Sequence, residues 1–157
     1  MTAFTDTLGF YKGSASFGAH ADKLFGYVEV KLDFAKIVAA RSAASATALA
    51  AADTLQVLQV PAGALMLAGG LVVTSAETTN TTATFDLGCT GGTPVAADAF
   101  ANNIASNALS TNSAGLAAPT IFATADTLDL LINTAAPTDA VIRCWALFFN
   151  ANANGNG

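Results

Sequence analysis

Hydrophobic and polar residues alternate most clearly along the string YVEVKLDF, from Tyr27 to Phe34. Val28, Val30 and Leu32 lie between charged side chains, so every second position is apolar. A period of two residues is typical of a β-strand that buries one face and leaves the other face in water. The segment therefore predicts an amphipathic strand.

Five more segments carry β patterns. The apolar runs Thr54–Val60 and Ala64–Ser75 flank Pro61-Ala62-Gly63, a combination that is typical of a tight turn and predicts a hairpin. Alternation returns in a short central segment, and two more apolar runs lie near the carboxyl terminus. The strands in these three segments are predicted at 82–87, 127–133 and 140–150.

Two long segments have no clear β pattern. Residues 35–52 are rich in alanine, which favours a short helix, although a loop along one sheet edge fits the same composition. Residues 93–119 are polar and rich in Asn and Ala. They predict a long connection with room for a short strand or a helical turn.

The string ADTL occurs twice, at Ala52–Leu55 and at Ala125–Leu128. Each copy is followed by an apolar strand, a turn that contains proline and a longer apolar strand. Two matching hairpins indicate the two halves of a two-sheet sandwich, and jelly rolls are built from two Greek keys. The predicted fold is therefore all-β: an antiparallel β-sandwich, jelly-roll-like, with an irregular N-terminal arm.

We expect residues 1–26 to form this arm, residues 27–150 the β-sandwich domain and residues 151–157 a flexible tail. The arm combines glycines, which oppose regular structure, with aromatic residues, which oppose free disorder. It is expected to become ordered by packing, either on its own domain or on a partner. No basic or apolar stretch opens the chain, so no signal peptide is expected. The expected aromatic anchors of the arm are Phe4, Phe10, Tyr11 and Phe17.

The last strand is apolar on both of its faces. Val141, Arg143, Trp145, Leu147 and Phe149 alternate with a second apolar set. A strand of a solvated antiparallel sandwich should have one polar face, so a cover is expected over the outer face. The cover could be another part of this chain or a second subunit, because aromatic residues and arginine are enriched at interfaces. At a subunit interface we expect Arg143 and Trp145.

The composition limits the classes of function. The chain has 157 residues, of which 53% are hydrophobic and 11% charged, and its net charge is −5. Such hydrophobicity excludes a disordered protein, and the acidic charge argues against a nucleic-acid binder. Glycine, proline and glutamine interrupt the longest uncharged run, Thr54–Ala76, which argues against a membrane-spanning helix. A surface with few charges suits a subunit that its neighbours cover.

Residues with catalytic or metal-binding chemistry are few. His20 is the single histidine, and together with Cys89 and Cys144 it cannot complete a common four-ligand zinc site within one chain. A disulfide between the two cysteines is geometrically possible, but two reduced thiols are expected because no export signal is visible. Cys144 lies in a strand and is expected in the core.

The remaining chemical candidates favour structure over catalysis. The string DLGCTGG has too few acids for a calcium loop and lacks the lysine of a phosphate-binding loop, so it predicts a turn. Nothing favours Glu77 and Asp86 as an acid–base pair. Trp145 could line a sugar site with Tyr11 or Tyr27, although a tryptophan in a strand more often lies in the core. The sequence therefore predicts no catalytic residue, no cofactor and no metal site, and a binding or structural role instead of an enzyme.

Four strings of the sequence carry a family resemblance. They are VEVKLDFAKIVAAR (28–41), ADTLQVLQVPAGALMLAGGLVVTSAE (52–77), ATFDLGCTGG (83–92) and ATADTLDLLINTAAPTDAVIRCWALFF (123–149). Their patterns are those of fold-forming segments, and together they span most of the chain between residues 28 and 149. In these strings the chain resembles small capsid-associated virion proteins of tailed bacteriophages, some of which resemble head decoration, or cement, proteins.

The resemblance implies a β-sandwich or jelly-roll homotrimer that binds the major capsid protein and stabilises the phage head. The protein would be made in the host cytoplasm and assembled on the outer surface of the capsid, with no cofactor. From composition, neither nucleic acid nor membrane is expected as a partner. Two alternatives stay open: another virion subunit, such as a head fibre or tail-associated protein, and a jelly-roll carbohydrate-binding module.

Overall fold

A computed structural model of the chain describes residues 3–4, 8–10, 13–14, 25–90 and 93–150. These residues form ten β-strands and one α-helix. In chain order the elements are β1 (Ala3–Phe4), β2 (Gly13–Ser14), β3 (Phe25–Asp33), α1 (Phe34–Ala43), β4 (Thr54–Val60), β5 (Ala64–Ser75), β6 (Thr84–Gly88), β7 (Ala101–Ala105), β8 (Ser110–Ile121), β9 (Asp126–Ile132) and β10 (Val141–Asn150).

The strands form two sheets that pack face to face. One sheet has the order β3-β10-β5-β8, and the other has the order β4-β9-β6-β7, with β1 and β2 added in parallel along the free edge of β4. All other pairs are antiparallel. Two four-stranded sheets whose strands interleave in this way are two Greek keys, the topology of a jelly roll. The predicted all-β, jelly-roll-like sandwich is therefore confirmed.

The core lies between the two sheets and is filled from the inward faces of their strands. On β3 the inward residues Val28, Val30 and Leu32 are at most 5% exposed, as the alternation between Tyr27 and Phe34 predicts. The ring of Phe34 stacks on that of Phe85, with centroids 5.4 Å apart. Burying such side chains contributes about 1.5–3 kcal/mol each. The two sheets are therefore held mainly by apolar packing.

The Pro61-Ala62-Gly63 turn does not close a hairpin, and that prediction is wrong. β4 and β5 lie in different sheets, so the turn carries the chain from one sheet to the other. Gly63 has a φ of +78°, a conformation that glycine adopts without strain. The two ADTL units pair with each other instead: β4 pairs with β9, and β5 with β10. Each repeat therefore contributes one strand to each sheet, and the two repeats pair with each other in both sheets.

The alanine-rich segment begins as a helix and continues as a loop. The Asp33 side chain caps the first turn of α1 by accepting a hydrogen bond from the Lys36 N–H at 3.3 Å. Phe34, Ile37 and Arg41 face inward and are buried. After Ala43 the chain runs without regular structure to β4. The predicted short helix is therefore present in the first half of residues 35–52, and the second half is a loop.

Residues 93–119 contain more regular structure than their composition predicts. β7 pairs with β6, and the 12-residue strand β8 pairs with β5 along most of its length. The β8 sequence, STNSAGLAAPTI, is small and polar and has no two-residue alternation. Its strand conformation comes from backbone pairing with β5, a tertiary contact that local sequence patterns do not report. The prediction of a long connection is wrong here.

The described residues of the predicted N-terminal arm pack on their own domain. β1 and β2 extend the sheet at β4, and Phe10 is 6% exposed within the core. Gly9, with a φ of +84°, lies so close to α1 that a Cβ there would come within 2.6 Å of the Ile37 Cα. Tyr11 and Phe17 lie outside the described residues, as does the predicted tail.

Candidate functional site

The outward face of the β3-β10-β5-β8 sheet carries a set of aromatic and aliphatic side chains. We call it the aromatic face. One row crosses all four strands, because Phe149 pairs with Phe25 and Leu65, and Leu65 pairs with Ile121. Phe25 is 62% exposed and Ile121 is 54% exposed. The residues that define the aromatic face are Phe25, Tyr27, Leu65, Ile121, Trp145, Leu147 and Phe149.

The aromatic rings of this face contact one another across the β3–β10 pair. Phe25 and Phe149 pack edge to face with centroids 5.5 Å apart. Tyr27 and Trp145 stack with centroids 6.2 Å apart and planes 25° apart. Such pairs contribute about 0.5–1.5 kcal/mol beyond their buried area. The rings are therefore held in position before any partner binds.

The surface beside Trp145 drops toward β5. Trp145 lies opposite Gly70 and Leu147 lies opposite Ala68 in the β10–β5 register. Gly70 has no side chain and Ala68 has a single methyl group, so Trp145 and Leu147 face small residues on β5, between the larger Leu65 and Val72.

Charged groups border the aromatic face at the end that is remote from Phe25 and Phe149. The Arg143 guanidinium donates to Glu29 at 2.5 Å, and the Tyr27 hydroxyl donates to the same carboxylate at 2.8 Å. These two hydrogen bonds lower the pKa of Glu29, whereas burial and the bond to Glu29 raise the pKa of Tyr27. Lys31 lies directly opposite Arg143, so two cations adjoin one carboxylate. Asp33 follows Lys31 by two residues on the same face, so this end of the face carries charges of both signs.

The aromatic face is uncovered in the described part of the chain. Tyr27 is 59% exposed and Trp145 is partly exposed. Cys144 and Ala146, on either side of Trp145 in β10, point into the core and are completely buried. The expectation that Trp145 lies in the core is therefore wrong, and α1 does not cover this sheet. A contiguous exposed apolar patch rimmed by polar groups is typical of an interaction surface.

The sequence pattern identified part of this site. Arg143 and Trp145 both lie on the outward face of β10, as their alternation predicts. Phe25, Leu65 and Ile121 were missed because they join the face only through strand register. Tyr27 is the sequence feature that indicates this surface, because it is an aromatic residue on the same outward positions of β3 as Glu29 and Lys31.

Residues with reactive chemistry are placed elsewhere. Cys89 and Cys144 are both buried and unpaired. Burial raises the pKa of the Cys89 thiol to about 11 and raises that of Cys144 further, so neither is a reactive thiolate at neutral pH. His20 lies outside the described residues. Within the described ranges, no group of three or more His, Cys, Asp or Glu side chains is arranged to hold a metal, and no helix could cross a membrane.

Glu77 is a buried carboxylate with five hydrogen-bond donors around it. It is 2% exposed and accepts hydrogen bonds from the backbone N–H groups of Asn80, Thr138, Asp139 and Ala140, and from the Thr138 hydroxyl. Burial acts to raise the pKa of Glu77, but the bonds from Thr138, Asp139 and Asn80 outweigh it and hold the pKa well below its usual range. Glu77 therefore joins the β5–β6 loop to the β9–β10 loop.

Glu77 and Asp86 do not act as a pair. Asp86 accepts a hydrogen bond from the Asn103 N–H at 2.6 Å, in the β6–β7 hairpin. No hydrogen bond joins the two carboxyl groups among the described contacts. Both are structural acceptors in this fold.

A cavity of about 550 Å³ lies between α1 and the β9–β10 loop. Its lining is mostly apolar and includes Val38, Leu49 and Pro137. The one charged residue in its wall is Arg41, whose Nε donates to the Thr47 carbonyl at 2.7 Å. Arg41 thus fastens the loop that forms the cavity.

Comparison with known proteins shows likeness at the level of fold. No protein-family model matches the sequence, and no curated protein matches it. A chain of the acidic stable capsid structure of Helicobacter pylori bacteriophage KHP30 has a TM-score of 0.50 and 11% identity, over 82% of this chain and 90% of that chain. A chain of the capsid asymmetric unit of cyanophage Pam1 has a TM-score of 0.49 and 17% identity, over 88% of this chain and 86% of that chain.

Proposed function

We propose that the protein is a structural subunit of a bacteriophage virion and that it acts as a capsid decoration, or cement, protein. The observation that carries the proposal is the aromatic face: pre-ordered rings on a jelly-roll sheet, exposed in the described part of the chain. The fold shared with a chain of the KHP30 capsid structure supports the virion role. The chemical groups that the structure places support assembly rather than catalysis.

A cement protein stabilises a shell by mass action. It binds the assembled shell of the major capsid protein and not the separate subunits, so the free energy of binding adds to the stability of the shell. A homotrimer multiplies weak contacts because each further contact forms at high effective concentration. In this proposal the aromatic face joins the copies of the trimer on the outer surface of the capsid, with Arg143 and Trp145 in the interface.

In this proposal the N-terminal segment makes the contact between the trimer and the shell, but with three of the four expected aromatic anchors. Phe10 is part of the protein's own core, so it is not available as an anchor. Phe4, Tyr11 and Phe17 keep that role in the proposal. Deleting residues 1–26 would remove β1, β2 and a core side chain together, so truncation would confuse loss of binding with loss of folding.

Substitutions on the aromatic face give a cleaner test. We expect Tyr27→Ala combined with Trp145→Ala to dissociate the trimer of the 15.7 kDa chain, so that the mass in solution falls to one third of that of the unsubstituted protein. Aromatic residues at the centre of an interface each contribute about 2 kcal/mol or more, so the loss should be complete at micromolar concentration. Binding to shells of the major capsid protein, measured by co-sedimentation, should weaken about 100-fold as avidity is lost.

The matched control is Leu109→Ala. Leu109 is 72% exposed but lies in the β7–β8 turn, away from the aromatic face. It should keep both the mass and the co-sedimentation of the unsubstituted protein. If the face variant also keeps both, the aromatic face has no role in assembly; if the unsubstituted protein does not bind the shells, the cement function is wrong.

Stacking of Tyr27 on Trp145 beside two charged groups also suits a second function, carbohydrate binding. Sugar rings pack on exposed aromatic faces while their hydroxyls bond to polar side chains, and lectin domains use the jelly-roll fold. Under this alternative, titration with a broad glycan panel should change the fluorescence of Trp145, the chain's single tryptophan. An unchanged emission across the panel would remove the alternative.

A further inference from the structure

The strand β3 forms one edge of the β3-β10-β5-β8 sheet. It is nine residues long and pairs with β10 without a register shift. Among the described residues no other strand pairs with it, so its second row of backbone N–H and C=O groups lacks a strand partner. An edge of this kind is a template for pairing with another extended strand.

β3 lacks most of the features that protect edge strands. It contains no proline and no bulge, and its inward side chains are Val28, Val30 and Leu32 rather than charges. Its charges, Glu29, Lys31 and Asp33, occupy alternate positions on the outward face with alternating signs, and Asp33 already pairs with Lys36 of α1 at 3.6 Å. Charged side chains, lysine above all, also protect edges, but the charges of β3 alternate in sign and can pair with those of a second copy, so this edge is suited to pairing.

The charges select a partner and a register. When β3 pairs antiparallel with β3 of a second copy about a two-fold axis at Val30, Glu29 of each copy lies opposite Lys31 of the other. A two-fold axis at Glu29 or at Lys31 would place like charges opposite each other. An axis at Val28 would place Lys31 opposite Phe25 and leave it without a carboxylate, and an axis at Leu32 would pair only residues 31–33 before α1 begins. Because the axis is perpendicular to the sheet, inward residues stay inward in both copies.

We propose that β3 binds β3 of a second copy in this register, which joins two sheets into one of eight strands. The contact relieves an imbalance in the single chain, where Lys31 lies opposite Arg143 and has no acidic partner among the described residues. Glu29 already accepts hydrogen bonds from Tyr27 and Arg143, and a carboxylate has lone pairs for a further donor. The contact uses the strand edge and not the aromatic face, so it can join trimers as well as single chains.

Reversal of one charge tests the proposal. In Lys31→Glu the introduced carboxylate lies opposite Glu29 of the second copy, so two symmetry-related pairs change from attraction to repulsion. We expect the dissociation constant of the contact to rise about 30-fold. Sedimentation velocity over a dilution series should show the mass halved relative to the unsubstituted chain. The variant should fold normally, because the new carboxylate lies opposite Arg143 of its own chain. A thermal melt would check this.

The swapped variant Glu29→Lys with Lys31→Glu is the matched control. It restores opposite charges across the two-fold axis and should recover the mass of the unsubstituted chain. A mass that Lys31→Glu leaves unchanged, or that the swap does not recover, would overturn the pairing of β3. The shell-binding measurement stands apart from this test, since a negative result there would leave the β3 contact intact.

Discussion

Glu77→Gln should be among the most destabilising single substitutions in the chain. The carboxylate is 2% exposed and accepts five hydrogen bonds, four of them from backbone N–H groups. A glutamine amide at this position keeps one acceptor oxygen, but its NH2 group replaces the other oxygen and faces groups that also donate. Removing one partner from a buried, charged network costs about 3 kcal/mol or more.

Thermal and urea unfolding would measure this effect. A loss of about 3 kcal/mol should lower the midpoint temperature of a domain of this size by about 10 °C. Asp98→Asn makes the same chemical change at an exposed side chain whose one hydrogen bond within the described residues is to Asn102, and it should leave the midpoint nearly unchanged. Equal midpoints for the two variants would show that Glu77 does not hold the loops together.

The same variant should alter the dependence of stability on pH. Because the folded state holds the pKa of Glu77 below the ordinary value of 4.5, its contribution is fully present above that value. The contribution decreases as the pH falls below the ordinary value and toward the pKa of the folded state. The unsubstituted protein should therefore lose more stability than Glu77→Gln between neutral pH and strongly acidic pH.

The positions of most strands follow from local patterns, whereas their partners do not. The alternation in β3 depends on one buried face and is visible in the sequence alone. The Pro61–Gly63 turn has the same residues whether it closes a hairpin or carries the chain to the opposite sheet, so the sheet order could not be predicted. β8 is the extreme case, because its small and polar residues become a strand only against the backbone of β5.

The candidate site also has a part that local patterns predict and a part that they do not. Arg143 and Trp145 could be predicted because alternation within one strand determines which residues share a face. The row formed by Phe25, Leu65 and Ile121 depends on register between four strands that are distant in sequence. The Glu77 network is also non-local, since its donors come from a loop that only the completed sandwich brings close.

Gly88→Ala should have an effect as large as Glu77→Gln, for a steric reason. A Cβ at Gly88 would lie 2.0 Å from the Ala96 carbonyl oxygen and 2.4 Å from the Ala97 carbonyl carbon. Both are backbone atoms, so no side-chain rotation can relieve the overlap. Either the loop that contains Ala96 must move away or β6 must separate from β9 at the Gly88–Asp129 pair. We expect a cost of about 4 kcal/mol.

The two buried cysteines can distinguish local opening from global unfolding in this variant. Cys89 follows Gly88 and its N–H bonds to the Ala96 carbonyl, whereas Cys144 lies in the core on β10. Local displacement of the loop should make Cys89 react rapidly with a thiol reagent at neutral pH while Cys144 stays protected. Gly26→Ala, at a partly exposed position in β3, should leave both thiols slow. If Gly88→Ala melts like the unsubstituted protein and keeps Cys89 protected, the loop does not pack on Gly88; if both thiols react at once, the contact supports the whole sandwich, because the two sheets then separate when it is lost.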